Sequence, residues 1–431
     1  MNKVENWKSV KLKFFAKAIN GFAFNSNDYC DDGIQIVRIG NIKKDGRVDL
    51  SNAKKVPSVF LKLYSSVSLM KNDIVMAMTG ATIRKVGRYL DDKPGLLNQR
   101  VCKFLPHTID RDFLWFILQS NSYLEHVFLT AGGGAQANIS DVQLLDYKTI
   151  IPIPFIQSRI ASFLDQETFR IDTLIAKKER QIELLQEKRQ AIITQAVTKG
   201  LDPNAKMKDS GVEWIGEIPE GWDLIKLKYI STKVNSGKTP RGGSESYQDK
   251  GIMLIRSQNV YFDGLRLDDV VFIDEETDQE MRNSRVQPMD VLLNITGASI
   301  GRSYYVPKDF PASNVNQHVC IIRPDRIKVI TEYLWLCMAS SIIQKVVFSF
   351  EKGTSREGIT FEQIRNFDIP LPMTVEEQSS IVETILAEID RNDRIVNIIQ
   401  KSIDLLKEYR SSMITHAVTG QIDIENMEKG K

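Results

Sequence analysis

The side chains of this sequence that are suited to chemistry are arginine, lysine, asparagine and glutamine residues in loops punctuated by glycine. Arginine and lysine read guanine edges, and asparagine and glutamine read adenine edges, in the major groove of DNA. Glycine lets a backbone approach phosphates closely. Because the basic residues lie in glycine-punctuated loops rather than on amphipathic faces, we expect contacts with double-stranded DNA. The candidate DNA-binding residues are Arg38, Lys43, Lys44, Arg47, Arg84, Lys85, Arg88, Arg100, Lys238, Thr239, Arg241, Arg256, Arg302, Lys352 and Arg356.

Two Asn-Gln pairs, Asn98-Gln99 and Asn316-Gln317, also have side chains of the adenine-reading type. Amides of this kind equally hold turns together when they are buried and hydrogen-bonded. We favour this structural role for the four residues.

The sequence contains no recognisable catalytic constellation. Its four histidines form neither an HExxH motif nor a zinc-ligand spacing with cysteine. Residues 236–239 resemble the end of a phosphate-binding loop, but Thr232 stands where the first glycine of that motif is required. The four cysteines form no CxxC pair, which indicates reduced thiols. We therefore expect a non-catalytic chain that binds no metal or cofactor of its own.

The loops that carry the basic residues occur twice, because the chain repeats itself. Gly33–Asn41 recurs at 251–259, and Thr79–Ala81 recurs at 296–298. From Gln157 to Thr198 the second copy follows at a constant offset of 221. A long stretch without gaps indicates one continuous element, whereas the offset varies earlier in the repeat, as it does between loops of unequal length. The chain is thus two copies of a globular unit, each followed by a long segment.

The two long segments, 157–198 and 378–419, are predicted helices. Neither contains proline or glycine, and both are rich in residues that favour helix. Their apolar residues recur with heptad spacing, which is typical of a coiled coil. The alternative is that each helix packs only on its own globular unit. The predicted helix-pair seam consists of Ile171, Ile175, Ile182, Leu185, Ile192, Val396, Ile399, Ile403, Leu406 and Met413.

These observations predict an α+β protein in which two globular domains are joined by two long helices that form an antiparallel coiled coil. The predicted boundaries are 1–155 for the first domain, 156–208 for the central helix and linker, 209–373 for the second domain and 374–431 for the C-terminal helix and tail. Residues 1–155 contain 21 Lys and Arg against 14 Asp and Glu, so the first domain is the more basic. No run of 18 apolar residues and no apolar leader is present, so we expect a cytoplasmic protein.

Residues 210–222, Ser-Gly-Val-Glu-Trp-Ile-Gly-Glu-Ile-Pro-Glu-Gly-Trp, resemble the linker before the second target-recognition domain of type I restriction-modification specificity subunits. Gly237-Lys238-Thr239-Pro240, Thr79–Ile83, Ile151–Pro154 and Ile193–Leu201 are similar to the same family. The resemblance covers essentially the whole chain, in order and in duplicate.

This resemblance implies that each globular domain is a target-recognition domain for one half of a bipartite DNA site. It also implies that the helix pair fixes the spacer and docks two methyltransferase subunits, which carry S-adenosylmethionine, and that a motor-nuclease subunit joins them. The first domain departs from the family pattern, because it has Asn20–Phe24 where the second has Gly237–Pro240. We therefore expect two different half-sites and an asymmetric target.

Two other functions stay open from the sequence. A nuclease or methyltransferase that acts alone requires catalytic residues that its motifs do not reveal. A coiled-coil scaffold explains the helices, but it leaves the two unlike sets of loops without a role.

Overall fold

The computed structural model describes residues 8–132, 137–351 and 358–422. The chain divides into two compact units: unit 1 comprises residues 1–179 and 400–431, and unit 2 comprises residues 180–399. Each unit therefore contains one globular part and one segment of each long helix.

Unit 1 is a mixed α and β structure. Its strands are β1 (Lys8–Lys11), β2 (Ala16–Asn20), β3 (Ile34–Val37), β4 (Lys54–Val56), β5 (Ser68–Leu69), β6 (Ile74–Ala77), β7 (Val86–Arg88), β8 (Gly95–Leu97), β9 (Val101–Pro106) and β10 (Lys148–Ile151). Its helices are α1 (Phe60–Leu63), α2 (Arg111–Gln119), α3 (Asn121–Thr130), α4 (Asp141–Leu145) and the first part of α5 (Pro154–Lys199).

Two four-stranded sheets make the core of unit 1. One is antiparallel, with the order β2-β9-β6-β7, and the other has the order β4-β3-β8-β5 with β3 and β8 parallel. All four residues of the central strand β6 are buried, as expected for a strand covered on both faces. The core side chains include Ile36, Val37, Val75, Ala77, Leu96, Leu97 and Val101.

Unit 2 repeats this architecture with additional short strands. Its strands are β11 (Met207–Asp209), β12 (Glu217–Pro219), β13 (Trp222–Lys226), β14 (Ser231–Ser236), β15 (Ile252–Ile255), β16 (Val260–Tyr261), β17 (Gly264–Leu265), β18 (Val271–Ile273), β19 (Val291–Asn294), β20 (Ser303–Tyr305), β21 (Ser313–Val315), β22 (Val319–Pro324) and β23 (Asp368–Pro372). Its helices are α6 (Glu275–Glu280), α7 (Thr331–Ala339), α8 (Ser341–Glu351), α9 (Phe361–Arg365), the second part of α5 and the first part of α10 (Val375–Val418).

The four-stranded antiparallel sheet of unit 2 matches that of unit 1 in order and direction, and the second sheet has three strands, β18-β15-β21, where unit 1 has four. The antiparallel sheet β14-β22-β19-β20 corresponds to β2-β9-β6-β7, and the parallel pair β15 and β21 corresponds to β3 and β8. The indoles of Trp222 and Trp335 are buried in the core, where their N–H groups donate to the Glu377 carboxylate and the Ser303 carbonyl. The duplication predicted from the sequence is therefore a duplication of topology.

The two long helices run in opposite directions within unit 1. The guanidinium of Arg410 on α10 donates two hydrogen bonds to the Asp172 carboxylate on α5, at 2.9 and 3.1 Å. Lys407, one turn earlier on α10, pairs at 3.7 Å with Glu179, which lies further along α5. From the first pair to the second, the residue number rises on α5 and falls on α10, so the helices are antiparallel.

The segments of the same helices also meet within unit 2. The side-chain amide of Asn392 on α10 donates to the Leu185 carbonyl on α5 at 2.9 Å. The last turns of α5 enter the core of unit 2, where Ile193, Ala196 and Val197 join Ile381, Ile385 and Ile389 of α10. The predicted α+β class with its long helix pair is confirmed.

None of the predicted seam residues is fully exposed. Five are buried: Ile171, Ile175, Ile399, Ile403 and Met413. The other five are partly buried: Ile182, Leu185, Ile192, Val396 and Leu406. The helix α5 begins three residues before the predicted start, because Pro154 is accepted in the first turn, where a backbone N–H lacks a helical partner in any case.

A buried glutamine anchors the start of each long helix to its globular unit. Gln157 accepts a hydrogen bond from the backbone of Asp110 at 2.7 Å and donates to the Pro152 carbonyl at 2.8 Å. Gln378, its counterpart at the offset of 221, makes the equivalent pair of backbone hydrogen bonds in unit 2. Both side chains are satisfied, which explains how polar groups are accommodated there.

Among the helices that the structure describes, none has by itself the length and apolarity to cross a membrane. The helices α7 and α8 meet those criteria only when they are taken together, across a bend of 58°.

Candidate nucleic-acid interface

The antiparallel sheet of unit 1 gathers three loops at one edge. Asn20 ends β2 and pairs with Cys102 at the start of β9, and Ala77 ends β6 and pairs with Val101 at the same start. The strand β7 begins with Val86, level with the end of β6. Residues 20–24, 78–85 and 98–101 therefore lie together and form the loop edge of unit 1.

Unit 2 gathers the corresponding loops in the same way. Ser236 ends β14 and pairs with Cys320 at the start of β22. Asn294 ends β19 and pairs with Val319, and β20 begins at Ser303 beside it. Residues 236–241, 295–302 and 316–319 form the loop edge of unit 2.

A glycine in each early loop makes this gathering possible. A Cβ atom on Gly21 would lie 2.1 Å from the Asn98 carbonyl oxygen, and one on Gly237 would lie 1.6 Å from the Val315 carbonyl oxygen. These separations are far below van der Waals contact, so only glycine lets the two backbones approach so closely. The early loop is thereby held against residues 98–101 in unit 1 and 316–319 in unit 2.

The Thr-Gly-Ala turns have the same backbone in both units. Thr79 has φ −141° and ψ 154°, and Thr296 has φ −147° and ψ 156°. The glycine that follows has φ 63° in unit 1 and 71° in unit 2, a left-handed conformation that glycine adopts without steric cost. The next loop of each unit returns to this turn, because Asn138 pairs with Thr79 and Gly358 pairs with Thr296.

Nine of the fifteen predicted DNA-binding residues lie at or beside these loop edges. Arg38 and Arg256 directly follow β3 and β15, and they stand beside the edges because Asn98 donates to the Val37 carbonyl and Asn316 to the Ile255 carbonyl. The others at the edges are Arg84, Lys85 and Arg100 in unit 1 and Lys238, Thr239, Arg241 and Arg302 in unit 2.

The remaining predicted residues of unit 1 lie along β7, away from the Thr-Gly-Ala turn. Arg88 is level with Ile74 at the opposite end of the sheet. It pairs with Asp112 at 2.9 Å, and its guanidinium lies 4.8 Å from the Trp115 ring centroid. Arg47 lies beside Arg88 and pairs with Asp45 at 2.6 Å. The others of this group are Lys43, which pairs with Asp49 at 3.1 Å, and Lys44, which is exposed.

Three predicted residues of unit 2 need separate mention. Arg241 belongs to the loop edge and is highly exposed, and it pairs with Glu280 at 3.0 Å. Lys352 and Arg356 lie outside the described residues. The DNA-binding role of all fifteen residues stays a prediction.

The Asn-Gln pair of unit 2 supports the local backbone. Asn316 is buried, and its side-chain oxygen accepts a hydrogen bond from the His318 backbone at 3.1 Å. His318 in turn bonds through Nδ1 to the Thr296 hydroxyl and lies 2.9 Å from the Gln317 amide nitrogen. This network links two loops of the edge and agrees with the structural role that we favour for Asn316.

Aromatic rings at the loop edges are the functional candidates that the sequence reasoning missed. Phe22 is partly exposed, and its ring centroid lies 4.2 Å from that of Tyr64. The Tyr261 ring lies 4.6 Å from the guanidinium of Arg302 and 4.0 Å from that of Arg266, within the range of a cation–π interaction. Phe128 and Phe348 are exposed at repeat-equivalent positions of α3 and α8, and this match could have been found by extending the repeat comparison to exposed aromatic residues.

The groups with reactive chemistry are buried or dispersed. Burial raises the pKa of the Cys320 thiol to about 12, and burial also raises the pKa of Cys102 and Cys337, which keeps these thiols protonated and unreactive. No group of three or more His, Cys, Asp and Glu residues in the described part of the chain is arranged to hold a metal ion. What the arrangement offers is two sets of loops that present basic, amide and aromatic side chains.

Comparison with known proteins places this arrangement in a family. Residues 4–184 and 219–405 match the type I restriction modification DNA specificity domain. The chain is 26% identical over 432 residues to the type I restriction enzyme EcoBI specificity subunit of Escherichia coli, with 97% of this chain and 86% of that protein covered. It is 24% identical over 447 residues to the MjaVIII specificity subunit of Methanocaldococcus jannaschii, with 98% and 94% covered.

The fold is also similar to that of a solved structure that was reported under the description "Structural basis underlying complex assembly and conformational transition of the type I R-M system". The TM-score is 0.69 at 15% identity, and 98% of this chain and 100% of that chain are covered. The family matches take in most of the sequence, one in each repeat. The protein therefore belongs to the type I restriction modification DNA specificity domain family.

Proposed function

We propose that this chain reads a bipartite and asymmetric DNA target, with one half-site for unit 1 and the other for unit 2. The observation that carries the proposal is the pair of loop edges. Their backbones match at the Thr-Gly-Ala turns, whereas their side chains differ, as at Arg100 and His318. A common scaffold with different reading groups is what two unlike half-sites require.

The helix pair is proposed to fix the spacer between the half-sites. The helix α5 continues without interruption for 46 residues, which corresponds to about 69 Å at 1.5 Å per residue. Two readers that are linked rigidly gain affinity from effective concentration only when the half-sites match the span. The length of the helix is therefore a determinant of the target.

We further propose that the helices dock two copies of a methyltransferase subunit. Unit 1 exposes Leu174 on α5 and Leu405 on α10, and unit 2 exposes Leu184 on α5 and Ile395 on α10. The offset of 221 relates Leu174 to Ile395 and Leu184 to Leu405, so each unit presents an apolar pair at equivalent positions. Repeat-equivalent apolar surfaces suit two copies of the same partner.

In this proposal the chain contributes recognition and no chemistry. S-adenosylmethionine belongs to the methyltransferase subunits, and DNA cleavage belongs to a motor-nuclease subunit that joins the complex. The protonated, buried thiols support a non-catalytic role, because they offer no activated nucleophile.

The test is a genome-wide map of adenine methylation in a host that expresses the methyltransferase subunits with and without this chain. We expect one split motif that appears only when the chain is present. A motif that is unchanged when the chain is absent, in a system whose assembly has been verified, contradicts the proposal. DNA methylation or cleavage by the purified chain alone contradicts the non-catalytic role.

A further inference from the structure

The loop edge of unit 1 contains an arginine at a backbone position that is occupied by glycine in unit 2. Residues 82–85 form a turn in which the Lys85 N–H donates to the Thr82 carbonyl at 3.1 Å. Residues 299–302 form the same turn, with the Arg302 N–H donating to the Ser299 carbonyl at 3.2 Å. The third residue of the turn is Arg84 in one unit and Gly301 in the other.

Both turns are of type II, which requires a left-handed third residue. Ile83 has φ −51° and ψ 144°, and Ile300 has φ −52° and ψ 139°. The following residue has φ 77° at Arg84 and φ 84° at Gly301. Glycine is the ordinary occupant of this position, and a long side chain there is sterically disfavoured.

Packing explains the glycine of unit 2, whereas the arginine of unit 1 needs another reason. A Cβ atom on Gly301 would lie 2.4 Å from the side-chain oxygen of Gln344 on α8, so a larger residue would displace the Gln344 amide, which donates to the Gly301 carbonyl at 2.8 Å. Arg84 is exposed, and it makes no ion pair with a described carboxylate. A residue that adopts a disfavoured backbone conformation without a packing reason points to a function at that position.

The guanidinium of Arg84 lies over an aromatic ring. Its guanidinium carbon lies 4.6 Å from the ring centroid of Phe128 on α3, within the range of a cation–π interaction. Phe128 is itself exposed. An aromatic ring accepts no conventional hydrogen bond, so the contact leaves N–H donors of the guanidinium available for a ligand.

We propose that Arg84 is a specificity-determining residue that reads a guanine in the half-site of unit 1. This inference rests on the proposed function. A planar guanidinium at the loop edge suits two hydrogen bonds to the O6 and N7 atoms of guanine in the major groove. Unit 2 has no side chain at this position, so the contact belongs to one half-site only.

The experiment uses the complex of the full chain with its methyltransferase subunits. Binding is measured to duplexes that contain the mapped target with each base pair substituted in turn. Arg84→Gly installs the residue of unit 2, and Arg84→Asn is a second variant that also tolerates the left-handed conformation. The matched control is Asn72→Gly. Asn72 is another non-glycine residue with a left-handed backbone, at φ 72°. It lies beside Asp73, at the end of β6 opposite the loop edge.

We expect both Arg84 variants to lose discrimination at one G·C base pair by about 10- to 100-fold, without a lower melting temperature. The Arg84 variants are expected to keep their base discrimination in the other half-site, and Asn72→Gly is expected to keep it in both half-sites. Uniformly weaker binding to all duplexes indicates a phosphate contact and overturns the inference. An unchanged profile of binding to the substituted duplexes, a half-site without guanine, or unfolding of both variants also overturns it. If the unaltered complex shows no sequence preference, the proposed function itself fails.

Discussion

The loop edges of units 1 and 2 share the backbone of their Thr-Gly-Ala turns and differ in several of their side chains. Phe22 stands where unit 2 has Lys238, and Arg100 stands where unit 2 has His318. By contrast, both units have an asparagine at Asn41 and Asn259. The side-chain oxygen of each accepts a hydrogen bond of 2.9 Å from the backbone N–H of the arginine three residues earlier. The comparison teaches that the side chains which cap these turns are kept between the copies, whereas several other side chains of the loops are exchanged.

The largest expected effect concerns a buried ion pair of unit 2. Asp290 is fully buried, and its carboxylate accepts two hydrogen bonds of 2.8 Å from Arg323, which is 20% exposed. At the equivalent positions unit 1 has Asp73 and Leu105, so it has no arginine to pair with this carboxylate. We expect Asp290→Asn to lower the free energy of unfolding of unit 2 by about 3–5 kcal/mol, because it leaves a largely buried guanidinium without its counter-charge.

Hydrogen exchange of the amides in β19 and β22 measures this loss of stability. The matched control is Asp92→Asn in unit 1, which removes an exposed pair with Lys71 and is expected to have no measurable effect. Equal effects of the two substitutions contradict the view that burial makes the difference between the pairs.

The second prediction concerns the repeat-equivalent leucines on the helices. Leu405→Asp is expected to weaken one methyltransferase docking surface by about 2 kcal/mol or more, because it places a charge in an apolar contact. Leu184→Asp is expected to do the same at the other surface. Native mass spectrometry then gives one bound subunit for each single variant and none for the double variant.

The control for this pair is Ile327→Asp, at an apolar residue that is highly exposed in a loop of unit 2. It is expected to leave two subunits bound. Two subunits bound to the double variant contradict the docking proposal.

The third prediction separates two arginines that share one aromatic ring. Arg302 belongs to the loop edge of unit 2, whereas Arg266, which directly follows β17, pairs with Asp263 at 3.1 Å. Both lie within 4.6 Å of the Tyr261 ring centroid. Arg302→Ala is expected to reduce discrimination in the half-site of unit 2 by about 1–3 kcal/mol, and Arg266→Ala is expected to have a smaller effect, as measured with singly substituted duplexes. The reverse order contradicts the assignment of the loop edge.

The sequence was sufficient to predict the family, the repeat and the helix pair, because each of these depends on periodicity or on contiguous motifs. The seam residues follow from heptad spacing, and Gln157 and Gln378 follow from a constant offset. The partners of the basic residues could not be predicted, because they come from distant parts of the chain. Arg84 meets Phe128 of α3, and Arg88 meets Asp112 and Trp115 of α2, so only the tertiary structure separates an arginine at the loop edge from one held at the opposite end of the sheet.

The smallest expected effect concerns the turn that follows Asn41 in unit 1 and Asn259 in unit 2. The N–H of Asp49 donates to the Asn41 carbonyl, and the N–H of Arg266 donates to the Asn259 carbonyl. Hydrogen bonding from the Ser51 backbone and then from its hydroxyl, together with the Lys43 ammonium, lowers the pKa of Asp49 from 3.8 to about 2. Because the folded pKa is the lower one, the stabilisation is complete above pH 4 and is lost as the pH falls through about 2.

We therefore expect the Asp49 amide to lose protection from hydrogen exchange between pH 4 and pH 2, after correction for the intrinsic rate, while the Arg266 amide does not. Asp49→Asn is expected to remove the pH dependence, because it has no carboxylate to protonate. An NMR titration that places the Asp49 pKa at its ordinary value of 3.8 contradicts the contacts with Ser51 and Lys43. In that case Lys43 is free for the DNA contact predicted from the sequence. The contrast between the basic residues beside β7, which form ion pairs with aspartates, and Arg84 at the loop edge, which forms none with a described carboxylate, then becomes weaker.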